Sequence, residues 1–257
     1  MLTRNEILRF KSLHSPKGRK NERAVLIEGL RLVEDCLESQ WPSAQLLIIE
    51  KNLEKPQYST TLNLAQSVGI EPTLISQKDM ERISDTKNPQ GIALEIQIPD
   101  ESEEFQIADR ILYLDNISDP GNLGTIMRTA VWFGVEQILL SENCANLWNP
   151  KVVRSAMGAH FKIDCDIFNL DELLTENTEI PHKVLGAAME GQPLNQLNKD
   201  TPQWILVLGN EARGISENIE KFIQQKITIE GSGFQESLNV AVAGGIILNH
   251  LNKEILS

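Results

Sequence analysis

Apolar positions follow two different patterns along the chain. In the first hundred residues Val25, Leu26, Leu30, Val33 and Leu37 fall at near-helical spacing and predict a helix over 24–38, followed by a buried-strand run at 45–50. Residues 62–68 read as a helix that stops near Gly69, residues 72–76 as a strand, and residues 91–98 as a strand with alternating apolar positions. These elements predict a small α/β domain. Pro99 then leads into Asp100, Glu101, Ser102, Glu103 and Glu104, an acidic stretch without apolar periodicity that reads as a linker. The boundary is expected near residue 105, between domains at 1–104 and 105–257.

Beyond it, residues 111–114, 137–140, 184–188 and 204–208 are short, nearly continuous apolar runs separated by helical stretches. Strands buried on both faces look like this, so a mostly parallel sheet covered by helices is expected. Ligands of such sheets sit in the loops beyond the carboxyl ends of the strands.

Composition adds limits. At about 150 residues per domain, the 257 residues are a soft prior for one large or two modest domains, with two as the starting expectation. The longest apolar run, 240–248, falls short of the roughly 20 residues that cross a membrane, and no signal-peptide core opens the sequence. A cytoplasmic protein with no membrane partner is expected. Cys36, Cys144 and Cys165 are far apart and lack a C-x-x-C, which favours reduced, buried thiols over disulfides or a zinc ribbon. His14, His160, His182 and His250 have no metal-ligand spacing, and no metal is expected. Trp41, Trp132, Trp148 and Trp204 are scattered, so no base-stacking platform is assigned.

A net charge of -12 argues against a nucleic-acid partner until its distribution is read. Residues 1–31 carry Arg4, Arg9, Lys11, Lys17, Arg19, Lys20, Arg23 and Arg31 against Glu6, Glu22 and Glu28, a net of +5 that leaves -17 on the remainder. This is either a basic arm on an acidic body or a solvated, partly disordered N-terminus.

Three loops stand out. In residues 114–134 a strand runs into Asn116, Asp119, Pro120, Gly121, Asn122 and Gly124 before a helix that carries Arg128 roughly one turn in, far more turn formers than a plain connection needs. In residues 206–216 a strand ends in Gly209, Asn210, Glu211 and Gly214. Gly209 lets a ligand approach the backbone, and Glu211 is placed to fix an arginine from a neighbouring loop. In residues 227–248 a Gly-Ser-rich loop precedes Ser237, read as an N-cap, and Asn239, at the head of a small-residue helix.

Together, in this order and spacing, these segments resemble the TrmH-like (SpoU) family of RNA ribose 2′-O-methyltransferases in the SPOUT superfamily, over residues 108–256. The first motif matches Asn122, Gly124, Arg128, Phe133 and Gly134; the second Leu208, Gly209, Glu211 and Gly214; the third Ser237, Leu238, Asn239 and Val240. Residues 149–161 look like the family's intermediate segment, and residues 17–33 resemble the substrate-binding domain, L30e-like in fold, often fused ahead of it. The pattern departs in two places: Glu230, not proline, follows Ile229, and Ala241 replaces a second serine.

The resemblance implies an α/β chain whose C-terminal parallel-sheet domain is tied in a trefoil knot, holds S-adenosylmethionine and shares its active site across a homodimer. Topology rules alone predict no knot. Carried over by position, Asn122, Arg128, Glu211, Ser237 and Asn239 form the catalytic constellation, and Leu208, Gly209, Ile229 and Leu238 line the cofactor pocket. Lys17, Arg19, Lys20, Arg23 and Arg154 are candidate contacts to the RNA, rRNA or tRNA. A guanidinium is a poor general base at its ordinary pKa, so Arg128 is expected chiefly to orient the target phosphate and stabilise the 2′-oxygen, a role as base staying open. A catalytically inactive RNA-binding or ribosome-assembly protein is the alternative. A dinucleotide-dependent oxidoreductase would need a G-x-G-x-x-G that the chain lacks.

Overall fold

The computed structural model describes residues 1–99, 106–176, 180–197, 202–234 and 237–252. The chain divides into two compact units, Met1–Glu101 with Trp148–Phe161, and Ser102–Leu147 with Lys162–Ser257. The boundary expected near residue 105 lies outside the described residues. Residues 149–161, expected in the second domain, cluster with the first, where Val153 joins the core and Trp148 and Phe161 pack on it.

From the N-terminus the elements are α1 (Arg4–Ser12), α2 (Pro16–Glu22), β1 (Ala24–Glu28), α3 (Leu30–Glu38), β2 (Ser43–Ile49), α4 (Ser59–Ser67), β3 (Pro72–Ile75), α5 (Gln77–Ile83) and β4 (Ile92–Gln97). They continue with β5 (Arg110–Leu114), α6 (Pro120–Trp132), β6 (Gln137–Leu140), α7 (Pro150–Ala156), β7 (Asp164–Ile167), α8 (Leu170–Glu176) and β8 (Lys183–Pro193). Last come β9 (Trp204–Leu208), α9 (Glu217–Glu220), β10 (Gln225–Thr228) and α10 (Val240–Leu251).

The first unit is built on a mixed sheet ordered β1-β4-β2-β3, parallel only between β2 and β3. The helix expected over 24–38 is in fact β1 and α3, parted by Gly29 at φ +104°. Val25 and Ile27 enter the core on one face while Ala24 and Leu26 enter the other. A strand buried on both sides has no polar alternation, and its apolar run therefore continued the helical spacing of α3. The N-terminal segment is ordered: a Thr3–Glu6 capping box starts α1, and Ile7, Phe10 and Leu13 join the second core.

The second unit carries a six-stranded sheet ordered β10-β8-β9-β5-β6-β7, parallel at every pairing, as the apolar runs predicted. Ile111, Tyr113, Ile205 and Val207 pack with Leu170 and Leu173 of α8 and Ile219 of α9. The alternate residues turn to the opposite face, where α10 lies so close that a Cβ on Gly244 would come within 2.8 Å of Leu208 Cδ1. Strand β7 was not expected, because Asp164 and Asp166 break the apolar pattern of this edge strand.

Candidate active site

β5 and β9 are neighbours in register, with Leu114 opposite Leu208, and the chain leaves them toward opposite sides of the sheet. The loops after both strands therefore open side by side at a topological switch, where parallel sheets bind ligands. Asp119 caps α6 by accepting the Asn122 N–H at 2.9 Å, and Pro120 occupies the first turn. Gly121, Asn122 and Gly124 thus lie inside the helix rather than before it. Arg128 is more than two turns from the N-terminus of α6, not about one.

Side chains from all three motif loops meet in one row. Asn122 Nδ2 donates to Glu211 Oε1, and Asn122 Oδ1 accepts from Asn239 Nδ2 at 2.9 Å. Asn239 Oδ1 in turn accepts the Ala241 and Val242 N–H groups at 2.9 and 3.3 Å, capping α10. The two amides have one consistent orientation, because the backbone donors of α10 demand an oxygen at one end and the carboxylate demands an N–H at the other. The cap of α10 is therefore Asn239 and not Ser237, which is exposed. Glu211 takes Asn122 as its partner where an arginine was expected. Arg128 is exposed, with no hydrogen-bond or ionic partner among the described residues.

The positions assigned to the cofactor follow strand ends or precede α10. Leu208 is buried at the end of β9, Ile229 is half-buried directly after β10, and Leu238 is exposed. Gly209 is required by its own loop, since a Cβ there would sit 2.4 Å from Gly214 C and Ile215 N. Half-buried Ile229 and exposed Leu238 present the kind of apolar surface that a flat nucleoside such as that of S-adenosylmethionine packs on. Among the described residues no cluster of His, Cys, Asp and Glu could hold a metal ion, and no helix is long and apolar enough to cross a membrane.

The RNA candidates all belong to the first unit. Lys17, Lys20, Arg23 and Arg154 are exposed, Arg154 pairing with Asp85 at 2.7 Å. Arg19 is buried and donates to the Leu13 and His14 carbonyls at 3.2 and 2.9 Å, closing the end of α1, and burial lowers its pKa. Arg9 is half-buried and bonded to Glu95 and Glu22. Two of the scattered tryptophans do meet: Trp41 lies 5.9 Å from Trp148 and edge-on to Phe161 at 5.4 Å. Sequence reasoning also missed Asp115, buried directly after β5, whose signal was an acidic residue ending an apolar strand.

The model of the SpoU rRNA Methylase family matches residues 109–249. The chain belongs to the SpoU rRNA methylase family. As the motifs implied, it is an S-adenosylmethionine-dependent RNA methyltransferase whose parallel-sheet domain follows a substrate-binding domain in the sequence, and the MRM3-like substrate binding domain model matches residues 4–94. The 23S rRNA (guanosine(2553)-2'-O)-methyltransferase RlmP of Bacillus subtilis is 32% identical over 243 residues, 94% of each chain. A solved RNA methyltransferase of the TrmH family from Porphyromonas gingivalis, also 32% identical, superposes with a TM-score of 0.84 over 98% of this chain and 99% of its own. The AdoMet-bound rRNA methyltransferase from Sinorhizobium meliloti, 25% identical, gives 0.86 over 100% and 97%.

Proposed function

We propose that this SpoU member methylates a ribose 2′-hydroxyl of large-subunit ribosomal RNA, and that the row Asn239–Asn122–Glu211 with Arg128 is its chemical centre. The observation that carries the reading is the meeting of three motifs, more than a hundred residues apart from first to last, in one hydrogen-bonded row after parallel strand ends. The RlmP relative supplies the RNA class.

S-adenosylmethionine, when bound, supplies a methyl group on a sulfonium, ready for transfer without a metal. The protein must then place the ribose oxygen in line and ease the loss of its proton. Arg128, unpartnered among the described residues, is left to hold the target phosphate and the negative charge growing on the 2′-oxygen. The Asn122–Glu211 pair and Ser237 orient the ribose, Asn239 fixing Asn122. Leu208, Gly209, Ile229 and Leu238 form the cofactor cradle, and Lys17, Lys20, Arg23 and Arg154 bind RNA phosphates. Arg19, already bound to two carbonyls, supports that surface from below.

A homodimer belongs to the same reading. Trp132 is 77% exposed on α6 and Val242 52% exposed on α10, large apolar side chains on the two helices behind the site that a second copy would cover. We further propose that the C-terminal part is threaded as the family's trefoil knot, that residues 1–104 and 105–257 are the functional domains, and that the protein is cytoplasmic.

The test incubates the purified protein with S-adenosylmethionine and unmodified cellular RNA and maps ribose methyl groups by mass spectrometry. One methylated rRNA position is expected. The absence of both cofactor binding and methylation would overturn the reading in favour of an RNA-binding protein.

A further inference from the structure

We propose that Asp115 and Asn210 are positioning residues for methyl transfer, because they hold the loop that presents Glu211 to Asn122. The inference rests on the Asn239–Asn122–Glu211 row being the chemical centre, and adds to it two side chains that touch none of those three. Asp115 is 1% exposed, and among the described residues it has no cationic partner. A carboxylate in such a place is costly unless neutral donors fill it. Two do so: the Ser216 N–H at 2.6 Å, from the far end of the β9 loop, and Asn116 Nδ2 at 2.6 Å.

Asn116 completes the brace. It sits at φ +59°, a left-handed conformation that asparagine tolerates better than most residues. There its N–H donates to Ser141 Oγ at 2.9 Å and its carbonyl accepts from Asn210 Nδ2 at 2.9 Å. Asn210 Oδ1 accepts the Ala212 and Arg213 N–H groups at 3.0 and 3.2 Å, while its backbone pairs in both directions with Gly214. Glu211 is therefore the first residue of a tight loop pinned at Asn210 from one side and at Ser216 from the other. The registered pairing of β5 and β9 would survive without these bonds. What they add is a fixed place for the loop tip, where a displacement of about 1 Å is enough to cost a hundredfold in rate.

The experiment compares wild type with Asp115→Ala, Asp115→Asn and Asn210→Asp. It reads kcat and KM for unmodified rRNA, affinity for S-adenosylmethionine by calorimetry, and Tm. Asp115→Ala removes both acceptors and is expected to lower kcat about 30-fold or more, with the KM for RNA within about threefold. Asp115→Asn should recover most of that loss: its carbonyl still serves Ser216, and the Asn116 amide can turn to accept from the new NH2. Asn210→Asp keeps the acceptor for Ala212 and Arg213 but sets an oxygen against the Asn116 carbonyl. It should lower kcat about tenfold with Tm little changed, so it decides the matter if Asp115→Ala does not fold. Unchanged kcat in Asp115→Ala and Asn210→Asp, losses confined to Tm, or no recovery in Asp115→Asn would each overturn the inference. A wild type that neither binds the cofactor nor methylates RNA would remove the functional reading itself, and this inference with it.

Discussion

Asn239 uses its two ends for different purposes: its Oδ1 caps α10 through the Ala241 and Val242 N–H groups, and its Nδ2 donates to Asn122 Oδ1 at 2.9 Å. Stability and alignment can therefore be separated at this residue. In Asn239→Asp the cap oxygen remains, and Asp is as good an N-cap as Asn. The single Asn122 amide would then face carboxylates at both ends, Glu211 and the new one, and can donate to both only by leaving its oxygen unmatched. Tm should change little, whereas kcat should fall by about 10- to 100-fold. Asn239→Ala should additionally lose about 1 kcal/mol of helix cap, seen in chemical denaturation. An Asn239→Asp enzyme with wild-type kcat would refute the row as a working unit.

Arg128 is exposed and has no partner among the described residues, so its removal costs the fold little. Arg128→Ala should unfold within about 0.5 kcal/mol of wild type. Its methylation should nonetheless fall by about 100-fold or more, in the range that loss of one charge-stabilising donor produces. Arg128→Lys keeps a cation but loses the planar fork, and should recover only a small part. Full activity in both would sink the assignment of Arg128 to chemistry.

Gly209→Ala forces a Cβ to 2.4 Å from backbone atoms of Gly214 and Ile215, which no rotamer relieves. The loop must shift, at about 1 to 3 kcal/mol. At roughly 2–4 °C per kcal/mol for a chain of this size, Tm should drop by several degrees. Titration calorimetry should show weaker binding of S-adenosylmethionine, since the same loop carries the proposed cradle. Unaltered cofactor affinity with a lowered Tm would confine Gly209 to a structural role.

Cys36 is buried and its thiol is pushed up to about 12, burial outweighing a hydrogen bond with Ser43 Oγ. It stays protonated across ordinary buffers, and the thiol is not the reactive form. Native protein at pH 8 should leave Cys36 unalkylated by iodoacetamide over the time in which denatured protein reacts fully, read by peptide mass spectrometry.

Much of this site was legible in the sequence. Turn formers crowding the ends of apolar runs marked the loops after β5, β9 and β10, because a parallel sheet sends its chemistry there. The bonds joining the loops were not legible. Glu211 bonding Asn122, and Asn239 rather than Ser237 capping α10, depend on which of several polar side chains the fold brings within hydrogen-bonding reach. Local propensity is also degenerate where burial is two-sided. Ala24–Glu28 resembles part of an amphipathic helix until its two faces are seen in two different cores. The N-terminal charges misled in a similar way, since composition cannot distinguish Arg19, turned inward, from Lys20, its exposed neighbour.

That last contrast sets the final prediction. Arg19 is 3% exposed and donates to two carbonyls at the end of α1, so Arg19→Ala leaves those acceptors unfilled in a dry place. Loss of hydrogen bonds from a charged donor should cost about 1 to 3 kcal/mol in denaturant unfolding. Lys17 and Lys20 are exposed on α2, and Lys17→Ala with Lys20→Ala should leave stability within about 0.5 kcal/mol. Binding should respond in the opposite order. If the two lysines meet phosphates, the double variant lowers the slope of log affinity for rRNA against log salt by about 2, one for each phosphate no longer neutralised. For Arg19→Ala, measured below its unfolding transition, the slope should hold. A double variant with an unchanged salt slope would take α2 out of the RNA-binding surface.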